Sequence, residues 1–266
     1  MSASGGRMAV RSTAASGAAV YESGRATAEY LQFHFGLPSD LMPFSFGPTD
    51  ALHFPARTAD ICRRYASSSA SSVLDVGCAV GGASFQLAKT FHRVVGIDFS
   101  QHFIDAAEKM RSERRMDYEM LKQGEVFVKR TAALEEGIDA SRILFKVGDA
   151  CSLQDEEERF DVVHASNLLC RLPKPTKFLA DVPKLLKEEG ILVLVSPYSW
   201  LEEYTAKGDW IGAKEESLDS AAELEKLLSS LSLKLVHSED MPFLIREHER
   251  KFQYGVSHCS VWRKIA

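Results

Sequence analysis

From residue 73 onward, short apolar runs alternate with amphipathic stretches, beginning with Val73-Leu74-Asp75-Val76-Gly77. Such runs cannot turn a polar face to water, so they belong to strands covered on both sides, and the amphipathic stretches supply the covers. The alternation predicts an α/β, Rossmann-like fold on a mostly parallel twisted sheet. Strands are expected at 73–77, 94–99, 143–147, 160–165 and 191–196, and helices at 82–90, 101–114, 176–188 and 218–231, with Ser100 as an N-cap. The last two apolar runs, 233–237 and 256–263, have no helix between them, only a long polar connection. They predict an antiparallel terminal hairpin. A charged insertion over 113–140 interrupts the rhythm, with room for a short strand at 126–130.

Upstream of the sheet the pattern differs. Residues 1–19, rich in Ala, Ser and Gly, bury too little to order themselves and are expected to be a flexible tail. One domain is expected over 20–266, with 20–66 as an N-terminal helical lid and 73–266 as the core sheet. Within the lid, helices are expected at 27–35, placing Tyr30 and His34 on one face, and at 55–65. The proline-rich segment 36–55 reads as a loop, and its Phe44, Phe46 and Phe54 are candidates for a cover over a site.

Charge and cysteine usage narrow the partners. A net charge of −5 and an isoelectric point near 5.9 argue against nucleic acid. No apolar run approaches the roughly 18–20 residues that cross a bilayer, and no secretory pattern opens the chain, so a cytoplasmic protein without membrane association is expected. Five scattered cysteines read as reduced thiols, and neither they nor the eight histidines show metal-ligand spacing, so no metal is expected.

The sharpest local signal is the strand 73–76 running into Gly77-Cys78-Ala79-Val80-Gly81-Gly82 and then a helix. Such a turn brings backbone close to a ligand at the carboxyl end of a sheet. Asp98, with Phe99 after it, ends the next strand, where a carboxylate can accept both ribose hydroxyls. Asp149 and Ala150 follow the third strand, where an aspartate can receive an adenine amino group. Gly77, Ala79 and Gly82 also satisfy a loose dinucleotide fingerprint with Asp98 as its acid. Three features favour S-adenosylmethionine over a nicotinamide dinucleotide: Asp75 ahead of the turn, Gly148-Asp149-Ala150, and the terminal hairpin. A carboxylate at Asp75 suits an ammonium and repels a pyrophosphate.

The chain resembles the class I methyltransferases, and more closely the C-terminal methyltransferase domain of ovothiol synthases. The resemblance runs from about Tyr21 to Lys264. It rests on Tyr21-Glu22 with Glu29-Tyr30-Leu31-x-Phe33-His34, on the turn at 75–81, and on Gly96-Ile97-Asp98-Phe99-Ser100. Further stretches are Gly148-Asp149-Ala150-Cys151, Ala165-x-Asn167-Leu168, residues 196–203, and Arg246-Glu247-x-x-Arg250-Lys251-x-Gln253.

The resemblance implies methyl transfer from S-adenosylmethionine, leaving S-adenosylhomocysteine, to the ring nitrogen of mercaptohistidine nearer the side chain. It implies cofactor contacts by Asp75, Gly77, Cys78, Ala79, Gly81, Asp98, Phe99, Asp149, Ala150 and Asn167. Ala79 stands where the general methyltransferase turn often has glycine. The iron-dependent sulfoxide synthase module that accompanies such domains is not among these residues, so only the methylating step is expected, with that module as a possible partner. Candidates around the acceptor are Asn167, Tyr198, Arg246, Tyr30 and His34, with Trp200 as a wall, Glu202 for an ammonium and Arg246 for a carboxylate. A protein histidine or another histidine-like metabolite as acceptor, or a silent cofactor-binding module, are the alternatives.

Overall fold

The structure is a computed structural model that describes residues 21–153, 158–215 and 219–265. The tail expected at 1–19 and the first residue of the helix expected at 218–231 lie outside the described residues.

In chain order, α1 (Gly24–Phe35), α2 (Pro38–Leu41) and α3 (Phe54–Tyr65) precede β1 (Ser72–Val76), α4 (Gly82–Leu87), β2 (Arg93–Asp98) and α5 (Gln101–Glu113). A hairpin of β3 (Arg115–Gln123) and β4 (Val126–Ala133) follows. Then come β5 (Ile143–Val147), β6 (Phe160–Ser166), α6 (Pro175–Leu185), β7 (Leu186–Ser196), α7 (Ser220–Ser230), β8 (Leu233–His248) and β9 (Lys251–Lys264). Seven strands form one sheet in the order β5-β2-β1-β6-β7-β9-β8. The first five of these are parallel, β9 is antiparallel to β7, and β8 and β9 pair as the terminal hairpin. The expected mostly parallel α/β sheet with an antiparallel end is the observed one. Strand order reverses beside β1, where the chain first builds outward to β2 and β5 and later to β6 and β7. A crevice therefore opens at the carboxyl ends of β1 and β6.

Both faces of the sheet are covered, which is why β1 is buried along its whole length. Val73, Val162 and Val193 pack under Leu31, Ile61, Phe85 and Phe103 of the N-terminal helices, α4 and α5. Leu74, Val163 and Leu192 pack against Phe178 and Leu179 of α6 and Leu224 and Leu228 of α7. Ser100 caps α5, its hydroxyl accepting from the Phe103 N–H at 3.1 Å.

Three expectations are corrected. Segment 36–55 is not wholly loop: Pro38, with φ preset for a first helical turn, opens α2, and buried Leu41 anchors it. The charged insertion is a full two-stranded hairpin in which Tyr118 and Met120 are buried and alternate with exposed Asp117 and Glu119. The polar connection after 237 is strand on both sides of a two-residue turn at 249–250, paired from Ser238 with Ser260 to His248 with Lys251, so Arg246 lies on β8. Its alternating polar residues belong to the partly exposed face of the last strand in the sheet.

Candidate active site

Beyond β1 the backbone turns sharply: Gly77 has φ +74°, Ala79 φ +48° and Gly81 φ +85°. A Cβ at Gly77 would stand 2.9 Å from the Leu168 Cδ1 and would be strained at this angle, so glycine suits the position. Ala79 occupies a left-handed conformation that glycine adopts more easily, which explains the usual preference at this position. The turn is pinned to β2. The N–H groups of Gly77 and Cys78 donate to the Ile97 carbonyl at 2.8 and 3.0 Å, and the Ala79 N–H donates to Asp98 Oδ2 at 2.9 Å. Asp98 Oδ1 accepts the Ser100 N–H at 2.9 Å. Burial pushes the Asp98 carboxyl up to about 6, against the lowering effect of those two N–H groups.

Asp98 faces a cavity holding about 1210 Å³ of empty space, that open to solvent included. The turn contributes Gly77, Cys78 and Ala79 to its wall. Phe99, Asp149, Ala150 and Asn167 follow from the ends of β2, β5 and β6. Asp149 Oδ1 accepts the Cys151 N–H at 2.8 Å, and the Asn167 amide oxygen accepts from the Ser257 hydroxyl at 2.7 Å.

The N-terminal helices form the opposite wall through Tyr21, Tyr30, Phe33, His34, Phe54 and Thr58. They are tied to the sheet layer: the Ser100 hydroxyl donates to the Tyr21 carbonyl at 3.1 Å, and Tyr30 lies 4.8 Å from the Phe103 ring. Burial raises the Tyr21 phenol to about 12, so it stays protonated at neutral pH. His34 Nδ1 accepts the Gly82 N–H at 2.9 Å, which leaves the ring proton on Nε2. Burial lowers its pKa to about 4, against the attraction of Asp75.

The other face of the turn holds a buried cluster. Asp75 Oδ1 meets His164 Nδ1 at 2.7 Å, and Asp75 Oδ2 accepts from the Ser84 hydroxyl at 2.5 Å. Asp75 lines the cavity, and each of its oxygens has a protein partner. His164 was not among the expected residues. Its signal is a lone ring among apolar neighbours on β6, in direct register with Asp75. Arg171, on the short turn that follows β6, was also missed. It lines the cavity, donates to the Ser199 carbonyl at 2.9 Å and lies 4.7 Å over the Tyr204 ring.

Several expected residues stand elsewhere. Arg246 donates to the Asp40 carbonyl and borders a separate polar pocket with Gln32, Lys122 and Arg130. On the same strand its neighbour Ile245 lines the cavity instead. Tyr198 is turned away, its hydroxyl 2.8 Å from His258 Nδ1. Gly81 shapes the turn as the N-cap of α4 without lining the space. Trp200 is buried in the core beside Ser220, Glu202 is exposed, and Phe44 and Phe46 stack on each other away from the cavity.

Residues 74–194 match the family model described as a methyltransferase domain. That methyltransferase stretch contains every strand end that borders the cavity, from the turn after β1 to Asn167 after β6. Curated relatives agree: the chain is 29% identical over 149 residues to the ubiquinone biosynthesis O-methyltransferase of Pasteurella multocida, covering 55% of this chain and 54% of that one. The chain spans about half the length of the curated relatives it matches. Among solved structures, an S-adenosylmethionine-dependent methyltransferase from Methanosarcina mazei superposes with a TM-score of 0.53 at 20% identity, over 77% of this chain and 97% of that one. The N-methyltransferase NodS from Bradyrhizobium japonicum gives 0.51 at 16% identity, over 80% and 97%. At these identities the likeness is one of fold. Among the described residues, no three His, Cys, Asp or Glu side chains are placed to hold a metal, and no helix is long and apolar enough to cross a membrane.

Proposed function

We propose that this chain is an S-adenosylmethionine-dependent N-methyltransferase whose acceptor is the imidazole of a small amino acid. The acceptor favoured by the sequence resemblance is mercaptohistidine, methylated at the nitrogen nearer the side chain to give ovothiol A. The observation that carries the methyl-donor reading is Asp98. Its two oxygens are fixed by the Ala79 and Ser100 N–H groups, each retains acceptor capacity, and the residue lines the cavity beside the left-handed turn. A carboxylate so held matches a pair of ribose hydroxyls, and Asp149 after β5 matches an adenine amino group. The Ser166 hydroxyl, buried at the cavity without a partner, adds an unsatisfied polar group that a ligand can complete.

When bound, the donor supplies a methyl carbon on a sulfonium, open to in-line displacement. The chain's own work is positioning and exclusion of water. Tyr30, Phe33 and Phe54 close the space over the sheet ends, which supports a free amino acid as acceptor over a peptide. Arg171 takes over the role expected for Arg246: it is the arginine on the cavity wall, and its fork suits a substrate carboxylate. The sulfur of mercaptohistidine must be installed by a prior oxidative reaction, so a sulfoxide synthase module or partner is the supplier this reading implies.

The test is incubation of the purified protein with S-adenosylmethionine and mercaptohistidine, histidine serving as control, with the methylated nitrogen identified by NMR. Transfer to mercaptohistidine and not to histidine supports the reading. Transfer to neither, with donor binding intact, would leave a silent binding module.

A further inference from the structure

Two histidines reach the cavity, and their partners fix them in opposite states. His34 spends its Nδ1 lone pair on the Gly82 N–H, so its Nε2 carries the proton and can only donate. His164 is the reverse. Its Nδ1 lies 2.7 Å from a carboxylate oxygen of Asp75, which accepts and cannot donate, so Nδ1 carries the proton and Nε2 is bare. That bare nitrogen is buried, on a residue 1% exposed that lines the cavity, and has no hydrogen-bond partner. A buried acceptor left unpaired costs on the order of 1–3 kcal/mol, and folded proteins keep few of them. Asp75 is itself held by Ser84 at 2.5 Å, so the ring is oriented by a chain of three side chains. A cross-strand pair needed only to join β1 to β6 has no use for an unpaired lone pair on a residue that lines the cavity.

We propose that His164 is the catalytic proton acceptor of the methyl transfer, accepting the N–H of the acceptor ring at the nitrogen that is not methylated, with Asp75 as its positioning residue. The inference rests on the methyl-transfer reading above. As the acceptor nitrogen bonds to the methyl carbon, the sulfur–carbon bond breaks and its electron pair stays on sulfur. The positive charge passes from the sulfonium to the acceptor ring. The proton on that ring's other nitrogen then moves to His164 Nε2, the resulting imidazolium rests against the Asp75 carboxylate, and the methylated product leaves neutral. The same hydrogen bond fixes which ring nitrogen faces the donor. The acceptor class is therefore an azole carrying one N–H and one bare nitrogen.

The titratable groups around this pair come from several elements. Asp75 stands on β1, His34 on α1, Cys62 on α3, and Cys78 and Asp98 on the turn and β2; all four interact electrostatically with Asp75. Burial raises both thiols, so neither competes as a base near neutral pH. On the other side His164 pairs with Val193 of β7, which carries no charge.

The experiment compares the wild type with His164→Gln and Asp75→Asn, using S-adenosylmethionine and mercaptohistidine. We expect His164→Gln to lower kcat by about 10²–10⁴-fold, the usual range for a general base. It should also change the pH profile of kcat and yield a mixture of ring-methylated isomers, while calorimetric affinity for the donor is kept. Nitrogen-15 NMR of the wild type alone, which needs no variant to fold, should find His164 protonated on Nδ1 and bare on Nε2. A bare Nδ1, or a His164→Gln enzyme with unchanged pH profile and a single isomer, overturns the inference while leaving methyl transfer standing. A wild type that binds donor but methylates nothing removes the methyl-transfer reading, and this inference with it.

Discussion

The N–H of Gly82 donates to Nδ1 of His34 at 2.9 Å, joining the first turn of α4 to the helix that covers the cavity. The approach depends on a missing side chain: a Cβ on residue 82 would stand 2.5 Å from that nitrogen and 2.7 Å from the His34 Cβ. Gly82→Ala must therefore push α1 off the sheet layer. The expected cost is about 1–3 kcal/mol of stability, typical of overpacking, measurable by urea unfolding. An alanine variant as stable as the wild type would show that the helix yields freely.

His34 and Asp98 give opposite pH dependences. With its pKa lowered to about 4, folded His34 binds fewer protons than the unfolded chain between about 4 and 6.5. Its contribution is thus present above about 6.5 and lost as pH falls toward 4. Asp98, raised to about 6, binds more protons when folded, so its contribution is present at low pH and lost as pH rises through about 6. His34→Gln removes the first effect alone. The stability difference between wild type and His34→Gln should grow from pH 4.5 to 6.5, as read from unfolding midpoints, and a constant difference would refute the assignment.

Arg171 and Arg246 separate substrate binding from structure. Arg171→Ala should raise KM for a carboxylate-bearing acceptor at least tenfold, in line with about 1.5–3 kcal/mol for a hydrogen bond to a charged group, with donor affinity unchanged. Arg246→Ala should leave KM within twofold and lower the unfolding midpoint, because its guanidinium serves the Asp40 carbonyl and lies 5.9 Å from the Phe252 ring centre. The reverse pattern in steady-state kinetics would return the carboxylate to Arg246.

The sheet was legible because its parallel strands are apolar on both faces, and Ser100 announced its helix by chemistry. The cavity wall was legible for the same reason: strand ends in an open α/β sheet are where ligands sit, so the positions of Gly77, Asp98, Asp149 and Asn167 on that wall follow from the strands. What failed was polar structure. In β3 and β8, charged residues alternate with buried Tyr118, Met120 and Met241, and a period of two among so many charges was read as insertion or connection. That error misplaced Arg246: on β8 it is the neighbouring residue, Ile245, that lines the cavity, and successive strand residues face opposite ways. His164 escaped because a single histidine in an apolar strand gives no local clue to its partner; only the β1–β6 register sets it beside Asp75. Arg171 lies on a short turn whose direction no periodicity fixes.

The central claim is that the turn after β1, with Asp98 beside it, seats S-adenosylmethionine. Titration calorimetry of the wild type and of Asp98→Asn tests it, with a nicotinamide dinucleotide as a second titrant. The account predicts saturable binding of S-adenosylmethionine, weakened about 10- to 100-fold in Asp98→Asn, and no binding of the dinucleotide. Equal donor affinity in the two proteins, or saturable binding of the dinucleotide in its place, would contradict it.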